Sequence, residues 1–299
     1  MPQTKILITG ATGYTGRYTT EILIKEGFSV RAFVHRQDER SEKLRLAGAE
    51  IMVGDMLNLK HVRVALEGVN AAYFVYPIDP GLIDATAYFA QAAREADVAA
   101  VVNMSQISAR RESKSDAARD HWISERVFDW SGVPVTHLRP TFFAQWLLYP
   151  RTLATIADHG GFRLPFAKGR HAPIAAEDQA RLIAAILTNP LPHCGKTYPL
   201  CGPVEMNYFE IASTISEILG RPITYQPITI DEYRQELEQL SVSPFRAQHL
   251  CAVALDCQDG IFAGTDAIIE GVTGKPPMTV QAFVASHKEA FSTMSRSKE

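Results

Sequence analysis

The sequence predicts an α/β protein, a doubly wound parallel sheet with a smaller C-terminal α+β substrate lobe. Three observations carry this. The first half of the 299-residue chain alternates short, almost continuously apolar runs with amphipathic segments. Three glycines follow the first apolar run at three-residue spacing. After about residue 140 the alternation becomes shorter and less regular.

The apolar runs are residues 5–9, 29–35, 49–54, 71–76, 98–104 and 133–138. They are rich in Val, Ile, Ala and Phe, the composition of strands covered on both faces. Between them, residues 14–26, 42–47, 59–67, 82–96 and 116–131 have the length and pattern of crossover helices. Repeated β-α-β units wind helices onto both faces of a parallel sheet. Residues 1–150 are therefore read as a nucleotide-binding domain. Residues 151–299 are read as a substrate lobe interleaved with the sheet rather than cleanly separate from it. In the second half, helices are expected over 142–158, 176–188, 208–219 and 230–240, with short strands at 198–201 and 223–226. Gly160-Gly161 ends the first of these helices, and the polar end of the chain, from Met294 to Glu299, is expected to fray.

Composition narrows the function classes. Apolar residues make up 46% and charged residues 21%, an ordinary globular balance. The net charge of −3 advertises no nucleic-acid surface. No run of about 18 apolar residues is available to span a membrane. No basic segment leads into a long apolar stretch, so no signal peptide is expected. The four cysteines form no CxxC pair and the nine histidines no HxH or HxxxH pair. Reduced thiols in a cytoplasmic protein without a metal site are therefore expected.

The most informative segment is Ile6-Leu7-Ile8-Thr9-Gly10-Ala11-Thr12-Gly13-Tyr14-Thr15-Gly16. A buried strand runs into the glycines and a helix follows. Gly10 permits the tight turn, Gly13 lets a pyrophosphate approach the backbone, and Gly16 lets the helix pack closely. Free N–H groups and the helix dipole then favour an anion at the helix start. This is a Rossmann-type dinucleotide turn, with Gly10, Thr12, Gly13, Tyr14, Thr15 and Gly16 as its cofactor-binding residues.

The end of the second strand selects the nucleotide. Phe33-Val34-His35-Arg36 has no acid for ribose hydroxyls, whereas Arg36, 20 residues after Gly16, can pair with a 2′-phosphate. The expected cofactor is NADP(H), with His35 and Arg36 at its adenosine end. Asp55 either contacts the adenine or caps the next turn. Tyr76 and Pro77 are expected to wall the cofactor cleft.

These residues make the chain resemble the NmrA-like family of atypical short-chain dehydrogenases and reductases. The likeness runs through Gly10-Ala11-Thr12-Gly13, Val30-Arg31-Ala32-Phe33, Gly54-Asp55 and Leu138-Arg139-Pro140, over nearly the whole chain. The resemblance implies an NADPH-dependent reductase of quinones, triphenylmethane dyes or azo dyes. It also admits a regulator that binds the dinucleotide without turning it over and acts through a protein partner.

Most short-chain dehydrogenases carry a Tyr-x-x-x-Lys pair, which none of the ten tyrosines here provides. His121-Trp122-Ile123-Ser124-Glu125 stands at that place, as in the dye-reductase branch. Without an acid pair to protonate an alkoxide, an electron-poor conjugated acceptor is the easier hydride acceptor. His121 is expected as proton donor with Glu125 orienting it one turn away; a purely structural pair is the competing reading. Ser105 and Gln106 follow the fifth strand as candidate catalytic and substrate contacts. Phe142, at the head of an aromatic run through Phe143, Trp146 and Tyr149, is expected to line the acceptor pocket. The expected partner is thus a small conjugated organic substrate; a homodimer is compatible with the sequence.

Overall fold

The computed structural model describes residues 4–291. The expected fraying of Met294 to Glu299 lies outside those residues. The first half follows the β-α alternation in order. Its elements are β1 (Lys5–Thr9), α1 (Tyr14–Lys25), β2 (Ser29–Val34), α2 (Glu39–Leu46), β3 (Glu50–Val53), α3 (Leu59–Leu66), β4 (Ala71–Phe74), α4 (Leu82–Glu95), β5 (Ala100–Met104), α5 (Asp116–Ser131) and β6 (Val135–Pro140). The second half adds α6 (Pro150–His159), β7 (Gly161–Leu164), β8 (Arg170–His171), α7 (Ala176–Thr188), β9 (Thr197–Leu200) and β10 (Met206–Asn207). It continues with α8 (Tyr208–Leu219), β11 (Thr224–Pro227), α9 (Ile230–Gln239), α10 (Pro244–Gln258), α11 (Ile268–Thr273) and α12 (Val280–Ser286).

Seven strands form one parallel sheet in the order β3-β2-β1-β4-β5-β6-β9. The order reverses between β1 and β4, the switch point of a doubly wound Rossmann-type fold. Alternation along β1 explains the two layers. Ile6 and Ile8 join Leu23 of α1 and Leu182, Ile183 and Ile186 of α7 on one face. Leu7, between them, joins Val62, Leu66 and Phe89 on the other. The central strands β1, β4 and β5 are buried on both faces, which is why their apolar runs are nearly continuous, whereas the edge strand β3 is partly exposed.

Two elements past residue 150 belong to this sheet. β9 is its last strand, paired with β6, although the sequence pattern groups it with the smaller lobe. α7 packs along α1 beneath β1. The smaller lobe has its own core, in which Phe162, Tyr208, Ile211, Ile215, Tyr225, Phe283 and Val284 are buried. Two short pairings, β7 with β11 and β8 with β10, frame it.

Several boundaries move for local reasons. α2 begins at Glu39 because Asp38 and Ser41 form a reciprocal capping box. β4 stops at Phe74, and β6 starts two residues late and runs on to Pro140. The helix expected over 142–158 is broken. Phe143 bridges to Ile174, residues 144–148 make a 3-10 turn, and Pro150 starts α6 at its first position. Proline is preorganised for that position and lacks the N–H that would continue an earlier helix.

On the α4–α5 face, Phe74, Phe89 and Phe128 pack with ring centroids 4.9, 5.2 and 6.3 Å apart, and all three are fully buried. Phe128→Ala is expected to destabilise the protein by about 3–5 kcal/mol, read as a lower denaturation midpoint in urea at unchanged m-value.

Candidate active site

The glycine turn is built by contacts that leave no room for side chains. The Thr9 hydroxyl accepts the Val75 N–H at 2.8 Å and donates to Val75 O at 3.1 Å, locking the ends of β1 and β4. Gly10 has φ +56°, and a Cβ there would stand 2.5 Å from Val75 Cγ1. Gly13 N–H returns to Gly10 O at 2.9 Å. At Gly16 a Cβ would strike the carbonyl of Gly10 and the Cα of Ala11. The close approach that Gly16 permits is therefore between α1 and the turn itself, not between α1 and the sheet.

Gly13 caps α1 without a side-chain hydrogen bond, and no acid lies in the first turn. The leading N–H groups of a helix need partners, and here no side chain supplies one. Gly10, Gly13 and Tyr14 are exposed at this end. A diphosphate fits this cradle through backbone donors. Thr15 differs from the expectation for its side chain: the hydroxyl is buried and hydrogen-bonds the Tyr73 hydroxyl at 3.0 Å. Only its backbone can serve an anion. Thr12 is half-buried in the turn.

His35 and Arg36 follow β2 and are exposed; among the described residues Arg36 makes no ion pair. The neighbouring Arg40 is already held by Asp38. Asp55 takes the capping option for one oxygen, which accepts the Leu57 N–H at 2.9 Å. Tyr76 and Pro77 lie past the end of β4, and the Tyr76 hydroxyl donates to Pro80 O at 3.1 Å.

The expected His121–Glu125 couple is not formed. Glu125 is completely buried, and Arg139 of β6 grips it at both oxygens, 2.8 Å from Nε and 2.5 Å from Nη2. A buried carboxylate needs a cation, and the guanidinium fork outcompetes a neutral imidazole for it. Glu125 thus ties α5 to the sheet. Its signal in the sequence was Arg139, a cation within the buried strand β6.

His121 is buried with Nδ1 unpartnered. Burial, reinforced by the nearby His249, pushes its pKa down to about 3. Burial thus favours the neutral imidazole. A neutral imidazole still donates one hydrogen bond and accepts another.

Other unpartnered polar atoms gather where β5 and β6 end. Ser105 Oγ and Gln106 Nε2 follow β5 directly, and Thr141 Oγ1 follows β6; all three are buried without a hydrogen bond. The remaining Gln106 oxygen accepts from Ser108 at 2.8 Å. These unpartnered groups stand at the C-terminal ends of parallel strands, the end at which open α/β sheets bind their ligands.

Phe142 enters the core of the smaller lobe. Its ring stacks on Phe262 at 4.2 Å and meets His171 edge-on at 5.2 Å, yet it stays half-buried. His171 gave no signal in the sequence. It is fully buried, neither ring nitrogen has a partner, and burial lowers its pKa to about 3. Trp146, whose indole N–H is also unpartnered, packs on Phe162 and Tyr208. Tyr149 is exposed.

A family model described as NmrA-like matches residues 2–253. The chain belongs to the NmrA-like family. An NAD(P)H azoreductase of Xenophilus azovorans is 28% identical over 96% of this chain and 99% of its own length. In structure, the chain resembles an NADPH-dependent quinone oxidoreductase of Escherichia coli complexed with NADPH. The TM-score is 0.84 at 23% identity, covering 95% of this chain and 99% of that one. A Citrobacter triphenylmethane reductase complexed with NADP(H) gives 0.81 at 22%, covering 94% and 99%. Among the described residues no helix is long and apolar enough to cross a membrane.

The buried histidines make the stability of this NmrA-like chain sensitive to acid. His121, His171 and His249 all have folded pKa values, about 3, 3 and 4, below the ordinary 6.5. The unfolded chain therefore binds protons first as pH falls. Their contribution to stability is complete above pH 6.5 and is lost progressively between pH 6.5 and about pH 3. Melting temperature should drop across that window, and His171→Leu should flatten the drop.

Proposed function

We propose that the protein is an NADPH-dependent, flavin-free reductase that delivers hydride to a conjugated acceptor such as a quinone or a dye. One observation carries the proposal: an uncapped glycine-turn helix opens at the same end of the sheet as unpartnered polar groups past β5 and β6, with no Tyr-Lys acid pair. Backbone N–H groups from Gly13 to Gly16 hold the diphosphate. Arg36 pairs with the 2′-phosphate, and exposed His35 flanks it. Asp55, Tyr76 and Pro77 line the adenine and ribose side. NADPH supplies the hydride.

The chain's residues then position the acceptor. Ser105, Gln106 and neutral His121 hydrogen-bond its oxygen or nitrogen atoms, and Phe142 supports its ring. Charge spreads over a conjugated acceptor, so water can provide the proton. Glu125 acts at one remove: with Arg139 it holds the helix that carries His121. The relatives named above as azo, quinone and triphenylmethane reductases support this acceptor class.

The direct test follows NADPH oxidation by absorbance against quinones, triphenylmethane dyes and azo dyes, without added flavin. Oxidation by at least one class is expected. Tight NADPH binding without oxidation by any of them would replace this reading with a dinucleotide sensor acting through a protein partner.

Arg36→Ala should weaken NADPH binding by about tenfold or more and leave NADH nearly untouched, as expected for a lost charge-assisted hydrogen bond. Equal losses for both would remove Arg36 from the 2′-phosphate. His121→Ala should lower kcat about tenfold at unchanged NADPH affinity. Because His121 is neutral, the wild-type rate should show no limb from this group between pH 5 and 8.

A further inference from the structure

One helix ties down both loops that border the crevice at the ends of β4 and β5. On the β5 side, α10 holds residues 105–115 at several points. Asp256, itself buried, grips Arg110 at 2.8 and 2.6 Å. His249 Nδ1 and Ser115 Oγ share a hydrogen bond of 2.8 Å. Gln248 donates to Lys114 O at 2.6 Å and accepts the Asp116 N–H at 3.1 Å. On the β4 side, the side-chain tie from α10 is Arg246. Its Nε donates to Ile78 O at 3.1 Å and to Asp79 Oδ1 at 3.0 Å, and its Nη2 donates to Asp79 Oδ2 at 2.6 Å.

The two sides differ in strength. The Asp256 carboxylate is buried, whereas the Arg246 and Asp79 side chains are 50% and 36% exposed. An exposed pair adds little to global stability and opens readily. The loop it holds, residues 75–81, starts at Val75, which packs against Gly10 and is bonded to Thr9. It ends at Gly81, whose φ of +106° suits a hinge before α4. Between these anchors the loop closes on itself through Tyr76 and Pro80.

We propose that Arg246 is a positioning residue for the nucleotide: it straps the 75–81 loop against the crevice beside Gly10 and sets how long a bound dinucleotide stays. This rests on the reading that the glycine turn holds NADPH. Arg246 touches neither the turn nor the reacting atoms; it acts through Ile78 and Asp79. The geometry is bidentate with an added carbonyl contact, so lysine cannot reproduce it.

The experiment measures NADPH dissociation by stopped-flow fluorescence displacement from wild type, Arg246→Ala, Arg246→Lys, Asp79→Asn and the swapped pair Arg246→Asp/Asp79→Arg. Hydrogen exchange of residues 75–81 is followed in nucleotide-free protein, with melting temperatures alongside. Arg246→Ala and Asp79→Asn should each release NADPH about fivefold faster, the scale of one exposed ion pair. Arg246→Lys should fall between, and the swapped pair should recover part of the loss. Exchange in the loop should quicken while melting stays near wild type. Wild-type dissociation in Arg246→Ala would overturn the strap, as would a fall in melting temperature that tracks the binding loss across all variants. If wild-type protein gives no displacement signal, the glycine-turn reading itself fails, a result distinct from failure of the strap.

Discussion

The close approach of α1 to the turn after β1 is the constraint on which the site depends. It requires Gly10 and Gly16 to be without side chains and a hydroxyl that welds two strand ends together. Thr9 holds β1 to β4 at Val75, so Gly10 must turn with positive φ under the Val75 side chain. Gly16 then lets the first turn of α1 sit on the carbonyl of Gly10. The outcome is a helix start with unclaimed N–H groups at the switch point of the sheet, where a parallel α/β fold opens its crevice.

Around this rigid centre, buried charge is managed by arginine. Glu125 and Asp256 are withdrawn from water, and each is met by a two-point guanidinium contact, from Arg139 and Arg110. Arg31, buried in β2, pairs with Glu50 and also serves the carbonyls at the end of α3. Leaving any of these charges unpaired would cost more than the pair contributes, so each fixes one arrangement of the elements it joins. Histidine is used in the opposite way. Burial lowers the pKa of His121, His171 and His249 because it penalises the imidazolium. His249 spends its Nδ1 on Ser115, whereas His121 Nδ1 and both ring nitrogens of His171 are left without a partner.

The smaller lobe reaches back to the sheet. α10 follows the strands of that lobe in the chain, yet its polar side chains end on loops that leave β4 and β5. The lobe and the crevice are thereby mechanically joined, firmly on the β5 side and lightly on the β4 side.

The sequence by itself determined what is local. The strand, turn and helix around Gly10, Gly13 and Gly16 are adjacent in the chain, and their spacing states their geometry. The apolar runs of the first half are equally local, because the two-sided burial of the central strands β1, β4 and β5 is written in their own residues. The basic Arg36 after β2, where no acid stands, and the missing Tyr-Lys pair were legible for the same reason. Tertiary structure alone decided which group answers each buried charge. Glu125 and His121 share a helix face, yet Glu125 pairs with Arg139, 14 residues away on a strand laid beneath the helix. Asp79 and Arg246 are 167 residues apart, and Arg110 and Asp256 are 146 apart. The placement of β9 at the sheet edge and the burial of His171 among rings are of the same kind. A hydrogen bond or an ion pair depends on distances of about 3 Å, and between residues far apart in the chain only the packing of the whole fold sets those distances.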